Sequence, residues 1–147
     1  MTLRQHHYRG IMPIQTLTIA GVCFLDATSR LLTVRKHGTS KFQLPGGKLD
    51  AGESPLAAAL REVAEEILVE LRPEDLTLLG SWSAPAANEE DTVIDATIFV
   101  SNLIVAPVAS AEIDELQWVD LSDDPASSEH FAPLLRTHVF GALSARV

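Results

Sequence analysis

Apolar and polar positions alternate along residues 14–25, "IQTLTIAGVCFL", and again along 31–36, "LLTVRK", with the turn-forming "DATSR" between them. Period-two alternation rich in β-branched residues predicts strands, and the short polar link predicts that these two form a hairpin. Further along, 76–82 ("LTLLGSW"), 92–105 ("TVIDATIFVSNLIV") and 116–120 ("LQWVD") carry the same signature. Two segments change period. From residue 55 onward Leu56, Leu60, Val63 and Ile67 fall on one stripe of a helix, and over 129–145 Phe131, Leu134, Leu135, Val139 and Leu143 do so again. The first helix has a clear start, because Ser54 suits the N-cap and Pro55 the first helical position. Strands separated by one central helix and followed by a terminal one predict an α/β chain, a mixed sheet held between helices.

Size and composition narrow the picture. With 147 residues, 46% hydrophobic and 21% charged, the chain can bury one core and is short for two, so a single domain over 13–147 is expected. Residues 1–12 read as a flexible tail. The run "IMPIQTLTIAGVCFLDA" is broken by Pro13, Gln15, Thr16 and Thr18 and is too short and too polar for a membrane span or a signal peptide. A lone Cys23 within an apolar stretch reads as a buried thiol, which fits an intracellular, cytoplasmic protein.

Charge then raises a question. The chain carries a net charge of -9, yet residues 53–66 add Glu53, Glu62, Glu65 and Glu66 around a single Arg61. Glu62 and Glu66 are four apart and share a side of the helix, with Glu65 beside them and all three off the apolar stripe. Like charges at that spacing cost a helix a few tenths of a kcal/mol per pair. The cluster is therefore either a solvated face or a cradle for a hard cation such as Mg²⁺ or Mn²⁺, which favour oxygen donors.

The spacing decides between them. Gly47, five residues, Glu53, seven residues and "REVAEEILV" resemble the signature of the Nudix hydrolases, G-x5-E-x7-R-E-U-x-E-E-x-G-U with U aliphatic, departing from it only at Leu68. "LPGG" before this box and "EIDELQWVD" after it extend the similarity. The resemblance implies a Nudix-type α/β/α sandwich with a mixed β-sheet, in which the box forms a catalytic loop, helix and loop. It implies metal ligation by the Gly47 carbonyl and by Glu62, Glu65 and Glu66, one of which activates water, and an ion pair of Glu53 with Arg61 that fixes the loop on the helix. It also implies Mg²⁺ (or Mn²⁺) as cofactor and hydrolysis of a diphosphate bond in a small nucleotide. The short chain, read as having no extra N-terminal domain, leans toward a mutator-type nucleoside triphosphate pyrophosphatase. Pro85, sixteen residues after Val69, is similar in placement to the ADP-ribose-cleaving branch, and a dinucleotide or sugar nucleotide is the alternative substrate. A catalytically inactive nucleotide-binding module is a more distant reading, since such a domain would be expected to lose box carboxylates. A homodimer is a family-level expectation.

Independently of the box, residues 27–49 hold no acidic residue, whereas Arg30, Arg35, Lys36, Lys41 and Lys48, five of the eleven basic residues, fall there. Such a window suits an anionic substrate, and Arg35, Lys41, Phe42 and Lys48 are candidates to touch it, with ordinary solvated charges as the other reading. The net charge and the lack of a basic stripe disfavour a nucleic-acid polymer. Glu89, Glu90, Asp91, Glu112 and Glu115 are candidate extra carboxylates or plain loop residues. Phe42 and Trp82 suit either base stacking or the core, Trp118 suits the core, and His37 suits the surface. Leu68 is expected to turn inward, its burial offsetting the loss of a helix-ending glycine.

Overall fold

The computed structural model describes residues 14–146, so the tail expected over 1–12 lies outside the described residues. The strands are β1 (Gln15–Cys23), β2 (Arg30–Lys36), β3 (Gly46–Lys48), β4 (Leu76–Pro85), β5 (Thr92–Ser101) and β6 (Ile113–Asp120). The helix α1 (Pro55–Ile67) follows β3, and the chain ends in a wide helical turn over Leu135–Val139 that continues as α2 (Phe140–Ala145).

Four strands form one sheet in the order β3-β1-β5-β4, and β2 and β6 form a second, two-stranded one. β1 runs parallel to β5 in register from Gln15 and Thr92 to Cys23 and Val100, while the β1–β3 and β4–β5 ladders are antiparallel. The sheet is therefore mixed. Alternation along β1 and β5 divides the interior into two layers. Ala20, Val22 and Phe24 pack with Leu32, Val34, Ala58, Ala59, Val63 and Ile67 under α1. Cys23, Ile98 and Val100 pack with Phe131, Leu135, Val139 and Phe140 under the terminal helix. Burial also pushes the Cys23 thiol well above its usual pKa, which keeps it protonated.

The expected hairpin of β1 with β2 exists only at its tip. Leu25 bridges Leu31 and the Leu32 amide donates to the Phe24 carbonyl, but beyond that the strands part. Both edges of β1 are taken by β3 and β5, and β2 instead pairs with β6 from Arg30 and Asp120 inward. Strand β5 stops at Ser101, short of 105, because the chain turns there and the Asn102 amide donates to the Asp75 carbonyl. The last helix begins later than residue 129. Phe42 and Phe131 form a parallel bridge, the Phe42 amide donating to the His130 carbonyl and the Ala132 amide to Phe42, which holds this segment extended.

Ser54 caps α1 as its sequence predicts, its hydroxyl accepting from the Ala57 amide at 3.1 Å. The buried face, however, is rotated from the stripe of leucines. Ala58, Ala59, Val63, Glu66 and Ile67 are the buried residues of α1, and Leu56 and Leu60 sit at the margin. Two small alanines let the helix lie close on the sheet, and the face centred on them includes Glu66. Val63 and Ile67 are fully buried, a contribution of about 1.5 to 3 kcal/mol each.

The end of α1 corrects the expectation for Leu68. The carbonyls of Glu66 and Ile67 accept from the amides of Ser110 and Val108, at 2.9 and 3.0 Å. These crossing bonds use the helix's last acceptors and force a sharp exit. Leu68 takes the left-handed conformation (φ 55°, ψ 41°) and its side chain is 58% exposed, while Val69 returns to the core. The strain at Leu68 is not offset by burial.

Candidate active site

Two close approaches occur at glycines of β3, just before the loop that leads to α1. At Gly46 (φ 151°) a Cβ would lie 2.1 Å from the Ala20 carbonyl oxygen, and at Gly47 it would lie 2.6 Å from Cδ of Glu62. The second contact brings the Gly47 backbone against a box carboxylate. Glu62 is held from the other side by Arg61, whose Nη1 donates to Oε1 at 2.8 Å.

Arg61 ties the loop to the helix. Its Nε and Nη2 donate to the two carboxylate oxygens of Glu53 at 2.9 and 2.8 Å, Nη2 also donates to the Lys48 carbonyl at 3.1 Å, and Glu65 lies 3.7 Å away. Glu53 in turn accepts from the Asp50 amide at 2.9 Å. Such bidentate, charge-assisted bonding favours the ionised acid. The Arg61 guanidinium first, and the Asp50 amide second, hold Glu53 down at about 2, and Glu53 and then Glu62 raise Arg61 further above its own range.

Glu66 differs from its neighbours. It is 5% exposed, Oε1 accepts from the Gly46 amide at 2.9 Å, and Oε2 lies 3.5 Å from Nζ of Lys36. Burial pushes its pKa up to about 7 against the opposing pull of the Gly46 amide and the Lys36 ammonium. Glu65, by contrast, is 55% exposed at its side chain.

The Gly46–Lys48 backbone forms one wall of a cleft of about 170 Å³. Lys36, Thr39 and Gln43 line it beside the box, Pro85, Asn88 and Glu89 line the opposite rim, and Ile19, Ile94, Ile98 and Leu134 make its apolar floor. Of the four residues expected to touch substrate, Lys48 lines this cleft. Arg35 is turned to Glu115 at 3.1 Å and to the Thr39 carbonyl, the Lys41 ammonium donates to the Glu129 carbonyl, and Phe42 is 2% exposed and stacked on His130. These three are spent on the fold. β2 pairing explains Arg35, since Glu115 lies opposite it on β6.

Among the softer candidates, Glu89 reaches the cleft, Glu90 and Asp91 line a shallower hollow next to it, and Glu115 is the partner of Arg35. Glu112 is exposed, and its carbonyl accepts from the His37 amide. Trp82 stacks on His138, Trp118 is half-buried, and His37 is exposed with Asp114 at 3.0 Å. Lys36 is the site residue that the pattern of the box did not mark. Its signal was parity, since Leu32 and Val34 face α1 from β2 and residue 36 shares their side.

Among the described residues no three His, Cys, Asp or Glu side chains converge on one point. Glu62 is turned to Arg61, Glu66 to Lys36 and Glu65 toward solvent. In donor type the three carboxylates nonetheless fit a hard divalent cation, since all their donors are oxygen, and the Gly47 backbone adjoins Glu62. Among the described residues no helix is long and apolar enough to cross a membrane.

A family model for the NUDIX domain matches residues 16–135. The chain belongs to the Nudix hydrolase family. An ADP-ribose pyrophosphatase of Methanocaldococcus jannaschii is 34% identical over 98 residues, 65% of this chain and 56% of that protein. An RNA pyrophosphohydrolase of Aeromonas hydrophila is 34% identical over 61 residues, 42% of this chain and 34% of that one. The chain thus spans between a third and a little over half of the length of these two relatives. The crystal structure of a MutT protein from Methanosarcina mazei shares the fold with a TM-score of 0.75 over 92% of this chain and 97% of its own, at 20% identity.

Proposed function

We propose that the protein hydrolyses a phosphoanhydride bond in a nucleoside diphosphate derivative with a divalent cation, Mg²⁺ or Mn²⁺, and that its substrate is a nucleoside triphosphate. One observation supports this most directly. The wall of the cleft is the backbone of Gly46–Lys48, which abuts Glu62 and Glu66, and the cleft carries two lysines, Lys36 and Lys48, over an apolar floor. That combination suits a charged phosphate chain at one end and a weakly polar base or sugar at the other.

In this reading the Gly47 carbonyl and carboxylates among Glu62, Glu65 and Glu66 would hold the cation, one of the three being left to activate water, and Glu53 and Arg61 position the loop without touching substrate. A bound cation would act as a Lewis acid on the phosphate oxygens, which makes phosphorus more electrophilic and stabilises the charge that builds there. A box carboxylate left free of the cation takes the proton of the attacking water, the new P–O bond forms as the bridging P–O bond breaks, and the leaving phosphate departs with the bonding pair. Lys48 pairs with the phosphates, whose charge would otherwise be repelled by the box.

ADP-ribose is the second reading. It is supported by Pro85 at the rim of the cleft and by the 98-residue likeness to the archaeal ADP-ribose pyrophosphatase. Incubation with nucleoside triphosphates, ADP-ribose, a dinucleoside polyphosphate and a 5′-triphosphate RNA, with Mg²⁺ and product analysis, separates these substrates. Release of a nucleoside monophosphate and pyrophosphate from a triphosphate at the highest kcat/KM is the result expected. Preferred cleavage of ADP-ribose favours the second reading, and tight binding with no turnover of any of them overturns both.

A further inference from the structure

Every polar atom at the buried end of Glu66 already has a partner. Oε1 is taken by the Gly46 amide at 2.9 Å and Oε2 by the Lys36 ammonium at 3.5 Å. The two contacts differ in kind. The amide is part of β3 and cannot leave without breaking the β1–β3 ladder, in which Gly46 pairs with Gly21. The ammonium sits on a flexible stem, its distance is longer than a well-formed N–H···O bond, and its side chain is 29% exposed where that of Glu66 is 6%. Lys36 also lines the cleft beside Thr39, Gln43 and Lys48.

We propose that Lys36 is an exchangeable counter-ion of Glu66, which a divalent cation must displace to use that carboxylate and which, once displaced, turns its ammonium to the anionic substrate in the cleft. This rests on the reading of Glu66 as a ligand. Without a cation, a carboxylate so deeply buried needs a nearby positive charge, and Lys36 supplies it from the neighbouring strand. With a cation at Oε2, the same ammonium becomes a like charge at short range and moves outward, where phosphate oxygens offer it a new partner. Cation binding and substrate binding thereby share one lysine and favour one another.

The test is Mn²⁺ binding to the intact, metal-stripped protein, followed by electron paramagnetic resonance of free Mn²⁺ at pH 8 without nucleotide, for wild type and for Lys36→Met, Lys36→Gln and Glu66→Gln. Removing the competing charge tightens Mn²⁺ binding about tenfold in Lys36→Met and Lys36→Gln, and both melt at a lower temperature than wild type until Mn²⁺ is added. Gln keeps an N–H for Oε2, so it gives a folded variant even where Met leaves the carboxylate without a donor. Glu66→Gln loses most Mn²⁺ binding. Unchanged or weaker affinity in the Lys36 variants, with binding still lost in Glu66→Gln, overturns the exchange and leaves the ligand reading standing. Wild-type affinity in Glu66→Gln overturns both.

Discussion

Gly47 lies so close to Glu62 that a single added carbon at its α-position would sit 2.6 to 2.8 Å from three atoms of the carboxyl group. The glycine is thus a spacer for a box carboxylate that α1 delivers from fifteen residues away. Gly47→Ala must push Glu62 aside or shift β3, and a displacement of about 1 Å at a reacting centre can cost a hundredfold in rate. The expected outcome is a kcat lower by about that factor with α1 intact by circular dichroism. Wild-type kcat in Gly47→Ala would show that the contact has no bearing on turnover.

Glu53 gives the protein an acid limb. Its folded-state pKa is depressed to about 2 by the Arg61 pair, so the unfolded chain binds more protons between the ordinary glutamate range and pH 2, and stability rises with pH across that window. The contribution is fully present above about pH 4.5 and is lost as pH falls toward 2. Chemical denaturation from pH 6 down to pH 2.5 should show Glu53→Gln less stable than wild type at pH 6 and the two converging at the acid end. A gap independent of pH would mean that the carboxylate's charge does not contribute.

Leu68 bears a left-handed conformation with its side chain 58% exposed, a strain of roughly 1 to 2 kcal/mol for a residue with a Cβ. Glycine relieves it and loses part of the gain to its more flexible unfolded chain. Leu68→Gly is therefore expected to be more stable by about 0.5 to 1 kcal/mol, with a Tm higher by a few degrees. A lower Tm would indicate that the leucine contacts something that stabilises it.

Lys48 and Lys41 are separable. Lys48 lines the cleft while Lys41 bonds the Glu129 carbonyl, so Lys48→Gln should raise KM for an anionic substrate and flatten its dependence on salt. Lys41→Gln should leave KM unchanged and lower the melting temperature. Equal effects on KM would return both lysines to a general electrostatic role.

How far the sequence reaches can be judged at particular residues. Ser54, Pro55 and the interval from Gly47 to Glu66 encode local geometry, and the cap, the loop and the Glu53–Arg61 pair follow from them. Glu66 lies off the predicted apolar stripe and is buried all the same, because the stripe of leucines is not the face that packs. Ala58 and Ala59 bring α1 onto the sheet, and alanine is a weak marker in a hydrophobic pattern. The β1–β2 hairpin failed for a non-local reason, since residues 46–48 and 92–101 compete for the edges of β1. Phe42 and Arg35 looked available because their partners, His130 and Glu115, are some eighty or more residues away in sequence. Leu68 was expected to be buried among apolar neighbours, but the amides of Val108 and Ser110 fix where the helix ends.

The proposed function requires the carboxylates of α1 to work through a divalent cation in breaking a phosphoanhydride bond. Its most direct measurement is the initial rate on the best substrate of the panel, with saturating Mg²⁺ and again with EDTA, for wild type, Glu62→Gln and Glu66→Gln. The account predicts turnover by wild type that EDTA abolishes, and loss of most of that turnover in both variants although each remains folded, since removing one of two like charges spaced four apart slightly favours the helix. Near-wild-type rates in both variants, or a wild-type rate indifferent to EDTA, would contradict it.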